Sequence, residues 1–337
     1  MVPVAGPPSI TRHWKPRNAA ETAGTHPPSI AIPSKEWRMT ASRLTFILAM
    51  IAASVATVAL TPGAARAATY SGMENCPLSA PAMKDPSNLQ VGCVYSVTHG
   101  GSVTIGSTTV ALNNPITLQF GVYWPASAPT RTFPDGSEAN VYSTVPAAGG
   151  RTLVAKPLQV AIPGIANIIP GVTSVFAQVE LAGPITGFVP LATGEDTPVF
   201  VMPIKLHLYN ALFGARCYIG SDTDPIRFSP TTGTTSPPAP NKPATGDAGT
   251  ISIDPDPNGF QTLGVGFTGA TLVDNAYAVP KASGCGLIPG SLDPLIDLAF
   301  GPLPSAAGRN AVVFSGNDTS FAVSPSLDDL TRALAAS

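Results

Sequence analysis

The chain has 337 residues, of which 44% are hydrophobic and 11% charged, with 37 Pro, 32 Gly, 4 Cys and a net charge of −2. A typical soluble domain is about one-quarter charged, so this chain owes its polarity mainly to Ser, Thr, Asn and Gly. The balanced charge and the lack of a Lys/Arg cluster in the sequence exclude a basic nucleic-acid-binding protein. The hydrophobic content excludes disorder along the whole chain.

The segment 39–67 is predicted to be a secretory signal peptide. Leu44–Leu60 is an uncharged apolar run that follows Arg43 and ends before Pro62-Gly63 and the small-residue site Ala65-Arg66-Ala67. A basic start, an apolar centre and an A-x-A site are typical of such a peptide, with cleavage after Ala67. The alternative is an uncleaved membrane anchor, because about 17 apolar residues is the shortest helix that spans a bilayer.

Residues 1–38 fit poorly upstream of a signal peptide. They carry Pro, His, Trp and charges without periodicity, whereas a signal peptide starts close to its basic end. The sequence favours translation from Met39 and a wrongly assigned upstream segment; the alternative is a long disordered leader. The exported chain would be 68–337, with 11 Lys and Arg against 18 Asp and Glu and a net charge of −7.

All four cysteines follow the predicted cleavage site, at Cys76, Cys93, Cys217 and Cys285. An even number of cysteines in an exported chain indicates disulfides, and three connectivities are open. We favour Cys76–Cys93 and Cys217–Cys285 because pairing nearest neighbours closes the shorter loops. A metal site is disfavoured, since no C-x-x-C pair occurs and only two histidines follow residue 67.

The exported chain is predicted to be mainly β, an antiparallel β-sandwich-like fold with one or two short helices near the C-terminus. Short alternating stretches rich in Val, Ile, Thr and aromatic residues are separated by Gly, Pro, Asn and Asp, which is typical of sandwiches. The predicted strands are Val91–Val97, Ser102–Leu112, Ile116–Tyr123, Val172–Leu181, Val199–Tyr209, Gly249–Ile253, Gly259–Phe267 and Ala311–Phe314. Pro203 indicates an edge position or a bulge.

Two short helices are predicted. In the first, Ser326–Leu334, Ser326 is the N-cap and Asp329 follows three residues later, a capping pattern. The second is Leu292–Phe300, with Ser291 as its cap and Gly301-Pro302 as its stop.

Two further segments are unusual in composition. Pro157–Val179 has no charge but contains two Pro-Gly turns, so we interpret it as core strands joined by tight turns; the alternative is an exposed loop that contacts membrane, cell wall or protein. Ser229–Thr250 resembles a Pro/Thr-rich linker. Because the favoured Cys217–Cys285 bond joins its flanks, we interpret it as a long loop on one folded unit rather than a boundary between two domains.

Several blocks of the chain resemble a family of exported actinobacterial proteins of unknown function. These blocks are PVFVMPIKLHLYNALFGARCYIGSDTDPIRF from Pro198, TTGTTSPPAPNKP from Thr231, LVDNAYAVP from Leu272, SGCG from Ser283 and LPSAAGRN from Leu303. The resemblance implies export and disulfides, and it offers no catalytic residues to transfer to this chain.

No catalytic set stands out in the sequence. A nucleophile elbow of the G-x-S-x-G type is lacking, and the only candidate bases, His99 and His207, are interpreted as a turn residue and a solvated strand residue. The carboxylate pairs Asp222/Asp224, Asp254/Asp256 and Glu195/Asp196 lie in expected turns.

One short motif suggests a weak calcium site. Asp254, Asp256 and Asn258, followed by Gly259, copy the first half of a calcium loop, but position 12 is Val265 rather than the required Glu. We interpret it as a plain turn and expect no metal or cofactor.

The sequence therefore predicts a non-catalytic exported protein, free or retained at the cell envelope, that acts by binding or structural association. Its partner is unknown; a cell-wall or surface component is one candidate, and no membrane span remains after cleavage. Two alternatives stay open. One is an extracellular hydrolase, and the other is an envelope-associating protein that uses the apolar 157–179 segment.

Overall fold

The computed structural model describes residues 70–161 and 174–337, which belong to one compact unit, Pro62–Ser337. The fold is mainly β with antiparallel sheets, as predicted. The strands are β1 (Asn88–Ile105), β2 (Thr108–Ala111), β3 (Ile116–Pro125), β4 (Thr130–Thr132), β5 (Glu138–Asn140), β6 (Ser143–Pro146), β7 (Leu153–Ala155), β8 (Leu158–Val160), β9 (Val175–Leu181), β10 (Met202–Tyr209), β11 (Tyr218–Ile219), β12 (Ile226–Phe228), β13 (Thr250–Pro255), β14 (Leu263–Asp274), β15 (Ala282–Ser283) and β16 (Ala311–Ser324). The α-helices are α1 (Asp293–Ala299) and α2 (Leu327–Ala335), and short 3-10 helices span Pro81–Lys84 and Ala148–Gly150.

The strands form two large sheets and one small hairpin. The first sheet has the order β13-β14-β16-β1-β3-β6, with β2 added to β1 and β7 added to β3. The second has the order β15-β11-β10-β9-β8, with β12 added to β10, while β4 pairs only with β5. Because β7 belongs to the first sheet and β8 to the second, the chain crosses between the sheets at Lys156-Pro157.

The main core lies between the two sheets. Val94 and Phe321 of the first sheet and Ile204 of the second belong to one cluster of buried apolar side chains. Phe188 packs edge-to-face against Phe120 and Phe321, with ring centroids 5.3 Å and 5.7 Å apart. Such contacts add to the hydrophobic stabilisation, so side chains from distant parts of the chain hold the sheets together.

The outer face of the first sheet is also buried. Val91 and Cys93 of β1 pack with Leu330 and Ala333 of α2 in a second apolar cluster. Cys76 is bonded to Cys93, with Cα atoms 5.9 Å apart, which attaches the segment before β1 to this face. The second disulfide joins Cys217 and Cys285, and both cysteines are fully buried. The favoured cysteine pairing is therefore confirmed.

One helix cap is confirmed and the other is wrong. Ser326 caps α2: its Oγ accepts the Asp329 backbone N–H at 3.1 Å. Ser291 does not cap α1, because that helix begins at Asp293 and its N-cap, Leu292, offers no side-chain hydrogen bond. The carboxylate of Asp293 lies instead in the first turn of α1, where the helix dipole favours a negative charge. It accepts the Cys285 backbone N–H at 2.7 Å.

Two local strand predictions are wrong. His99 lies inside β1 rather than in a turn. Gly101, two residues later, has a φ of +125°, and a Cβ there would overlap the Val313 carbonyl. This glycine therefore permits the close approach of β1 and β16. Pro203 lies in the internal strand β10, not at an edge. The β9–β10 ladder stops at Leu181 opposite Ile204, so the missing N–H of Pro203 falls beyond the end of that ladder.

The Pro/Thr-rich segment 229–250 is held against the body of the protein. Thr231 exchanges backbone hydrogen bonds with Val273 at 2.9 and 3.0 Å. The Asn241 side chain donates to the carbonyl oxygens of Asn275 at 2.9 Å and Asn310 at 2.8 Å. These fixed contacts make the segment a packed loop of this unit.

Asp274, a buried carboxylate at the end of β14, is hydrogen-bonded to the first residue of this loop and leads to a pH prediction. Asp274 accepts backbone N–H groups from Ser229 at 2.7 Å and Ala276 at 2.9 Å, yet burial outweighs these bonds and raises the pKa of Asp274. A raised folded-state pKa means that the folded protein binds the proton more tightly than the unfolded chain does. The stabilisation that comes from protonating Asp274 is complete below the unfolded-state pKa and is lost as the pH rises through the folded-state pKa.

The Asp274→Asn variant isolates this effect. We expect the free-energy advantage of the wild type over Asp274→Asn to be larger at acidic pH than at pH 7, because only the wild type gains from protonation. Urea unfolding of both proteins across this pH range measures the difference, and every other carboxylate cancels in it. A difference that is constant with pH, or largest at pH 7, would contradict the prediction.

Candidate functional site

The two candidate histidines lie in different environments. His99 is exposed, and its Nε2 lies 3.1 Å from Asp318 Oδ2 at the surface. His207 is buried between Tyr209 and Tyr218, with ring centroids 4.0 Å and 4.3 Å away, which corrects its interpretation as a solvated residue. The cross-strand pairing of His207 with Tyr218 produces this stack.

Among the described residues, His207 has an orienting carboxylate but no hydroxyl or thiol hydrogen-bonded to it. Its Nδ1 lies 3.2 Å from Glu180 Oε1, the relation between a catalytic base and the acid that orients it. Its buried Nε2 has no hydrogen-bond partner among the residues described. Acyl transfer needs a hydroxyl or thiol at that nitrogen.

Lys205 neutralises the carboxylates beside His207. Its Nζ lies 2.7 Å from Asp222 Oδ1 and 3.9 Å from Glu180 Oε2, and hydrogen bonding to Asp222 raises the pKa of Lys205. Glu180 and Asp222 both line an open cleft of about 830 Å³. Lys205 therefore bridges the two carboxylates of this cleft.

The calcium-like motif forms a turn at the end of β13. Asp256 is buried, and its Oδ1 accepts the Asn258 backbone N–H at 2.8 Å, which is an Asx-turn. Asp254 and Asn258 are exposed. Within 70–161 and 174–337, no group of three or more His, Cys, Asp or Glu residues is arranged to hold a metal ion.

The most unusual feature of the protein is the incomplete packing between its sheets. One cavity of about 70 Å³, the aromatic cavity, is lined by Phe120, Phe188, Phe200, Phe267 and Phe314. A second of about 80 Å³, the aliphatic cavity, is lined by Val110, Leu112, Leu158, Val179, Ile204 and Leu206. Both are also bounded by Ile116, Met202 and Phe314, so the two cavities are adjacent within the core.

Most side chains that line the two cavities are apolar, and several polar groups on the wall of the aromatic cavity are already hydrogen-bonded. At the aromatic cavity, Ser96 and Thr319 share a 2.7 Å hydrogen bond, and Thr98 donates to Asn317 Oδ1 at 2.5 Å. Satisfied groups of this kind attract water weakly, and an apolar cavity without free polar groups stays dry. The cavities therefore suit apolar atoms.

The aliphatic cavity shares two of its lining residues with a depression at the surface. This depression of about 530 Å³, here called the mouth, is lined by Asn114, Lys156, Pro157, Phe176 and Tyr209. Asn114 and Lys156 line the aliphatic cavity as well. The Phe176 and Tyr209 side chains are 39% and 41% exposed, so two aromatic rings stand at the rim.

The cavities are the feature that sequence reasoning missed. The described ends of the apolar segment 157–179 pack as predicted: Leu158, Val160, Ala177 and Val179 face the interior. Its two Pro-Gly turns, at 163–164 and 170–171, lie outside the described residues. The lack of charge in this segment was the available signal, but it does not separate a filled core from a hollow one.

Comparison with known protein families, with curated proteins and with solved structures finds no match to this chain. None of the helices described is long and apolar enough to cross a membrane.

Proposed function

We propose that this protein is an exported, non-catalytic binding protein that holds an apolar molecule between its two sheets. The adjacent aromatic and aliphatic cavities are the observation that carries this proposal. Their volumes are about 70 Å³ and about 80 Å³, and their sum is on the scale of an engineered apolar cavity of about 150 Å³ that binds benzene.

The energetic cost of such a hollow core supports a binding role. Protein interiors are normally close-packed, and an unfilled cavity costs about 24 cal/mol per Å³, or about 4 kcal/mol for this volume. A ligand that fills the space regains the lost contacts. Export is supported by the signal-peptide pattern of 39–67 and by the two disulfides, and a non-catalytic role by the lack of a nucleophile at His207 Nε2 within the described part of the chain.

Octanol is the test ligand, and Ala177→Leu is the test variant. Ala177 lines the aliphatic cavity, so a leucine there should occupy the ligand's space and weaken octanol binding at least tenfold. The matched control is Ala111→Leu, the same substitution on β2, where Ala111 is exposed and its neighbours Val110 and Leu112 line the cavity. Isothermal titration calorimetry measures the affinity, and thermal unfolding verifies that each variant is folded.

Three outcomes decide the proposal. Octanol binding by the wild type and Ala111→Leu, but not by Ala177→Leu, supports it. No binding to the folded wild type overturns it. Equal binding to all three proteins also overturns it, because the ligand would then lie outside the cavity.

A further inference from the structure

We propose that the ligand is an anionic amphiphile whose hydrocarbon chain enters the two cavities and whose acidic head group pairs with Lys156 at the mouth. The inference rests on the proposed function, and it names the class of molecule that the site selects.

The position of Lys156 carries the inference. Lys156 lines both the aliphatic cavity and the mouth, so its side chain stands where a bound chain would reach solvent. A lysine can place its methylene stem along an apolar wall while its ammonium group stays in water. The same residue therefore contacts both ends of an amphiphile.

The backbone holds Lys156 at this boundary. It is the residue between β7 and Pro157, where the chain passes from the first sheet to the second. A residue before proline is restricted to extended conformations, and the paired strands on either side fix the direction of the chain. The backbone of Lys156 is thus held at the corner of the sandwich, and its side chain is exposed.

The charge of Lys156 is available to a ligand. None of the ion pairs formed within the described residues involves Lys156, whereas Lys205 is paired with both Asp222 and Glu180. Asn114 adds a side-chain amide to the same wall, and an amide can donate hydrogen bonds to a carboxylate. A cation and an amide at the exit of an apolar cavity favour an anionic head group over a neutral or cationic one.

The volume of the cavities sets the length of the hydrocarbon chain that fits, and the aromatic rim sets what surrounds the part of the chain next to the head group. Their combined volume suits a chain on the order of six to eight carbon atoms, by comparison with benzene in a cavity of similar size. The exposed rings of Phe176 and Tyr209 at the mouth would cover the methylenes nearest the head group.

Three ligands with the same chain length test the head-group preference: octanoate, octanol and octylammonium. We expect the wild type to bind octanoate most tightly and octylammonium least. Lys156→Met, which keeps the apolar stem, should weaken octanoate binding about fivefold, the scale of a partly exposed ion pair, and change octanol binding less than twofold. Lys156→Glu should reverse the order of octanoate and octylammonium.

A matched control and a salt series complete the experiment. Lys242→Met removes a lysine that is also exposed but lies outside the mouth, and it should leave all three affinities unchanged. Raising the salt concentration should weaken octanoate binding by the wild type but not by Lys156→Met, because salt screens the ion pair. Thermal unfolding of each variant verifies that it is folded.

The outcomes separate the two proposals. If none of the three ligands binds the wild type, the proposed function fails. If octanol and octanoate bind equally and Lys156→Met changes neither affinity, the anionic preference is wrong while apolar binding stands. If the wild type binds octanoate most tightly but Lys242→Met weakens octanoate binding as much as Lys156→Met does, the effect comes from net charge. The assignment of Lys156 is then overturned.

Discussion

Replacing both Cys217 and Cys285 by alanine is expected to lower the free energy of unfolding by about 4 kcal/mol. The bond closes a loop with a sequence separation of 68 residues, and the chain-entropy model gives a larger stabilisation for longer loops. The pair is also fully buried, beside the short pairing of β11 with β15 at the edge of the second sheet. Without the bond, that edge would depend on two residue pairs and on the backbone N–H groups that Ala282, Gly284 and Cys285 donate to carboxylates of α1.

The other disulfide is the internal control for this prediction. Cys76 and Cys93 are separated by 17 residues, so the double alanine variant at these positions should cost about 3 kcal/mol by the same model. Urea unfolding of the two double variants and the wild type gives the comparison. A smaller loss for Cys217/Cys285 than for Cys76/Cys93 would show that loop length does not govern stability here.

Replacing Asn310 by alanine is expected to cost about 3–5 kcal/mol, because each buried polar group left unpaired costs about 1–3 kcal/mol. Asn310 is fully buried. Its Oδ1 accepts the Gly106 backbone N–H at 2.9 Å, and its Nδ2 donates to the Tyr277 and Ala306 carbonyl oxygens at 2.9 Å and 3.1 Å. One side chain therefore joins the turn between β1 and β2 to the segment that precedes β16.

Asn258→Ala is the matched control for Asn310→Ala. Asn258 is exposed in the turn after β13, and substitutions at such surface positions stay within about 0.5 kcal/mol. Chemical denaturation of both variants measures the contrast. Equal losses would mean that the hydrogen bonds of Asn310 are replaced by water and that the side chain is not a structural tie.

The local features of the fold were predictable because they depend on neighbouring residues. Alternation of apolar and polar residues indicated the strands, and the spacing of Ser326 and Asp329 indicated the start of α2. The disulfide pairing followed from loop lengths. His99 and Pro203 were misjudged because Gly and Pro are read as turn or edge residues, while their roles here depend on where the partner strands lie.

The sequence by itself determined a disulfide-bonded, mainly β chain with little charge and predicted its export, since cysteine count, two-residue periodicity and signal patterns are local properties. Only the tertiary structure decided that the core is incompletely filled and that Lys156 stands at its exit. The volume between two sheets depends on side chains that are far apart in sequence, such as Ile116, Met202 and Phe314. Whether such side chains fill their shared space is set by the packing of the sheets, which periodicity does not encode.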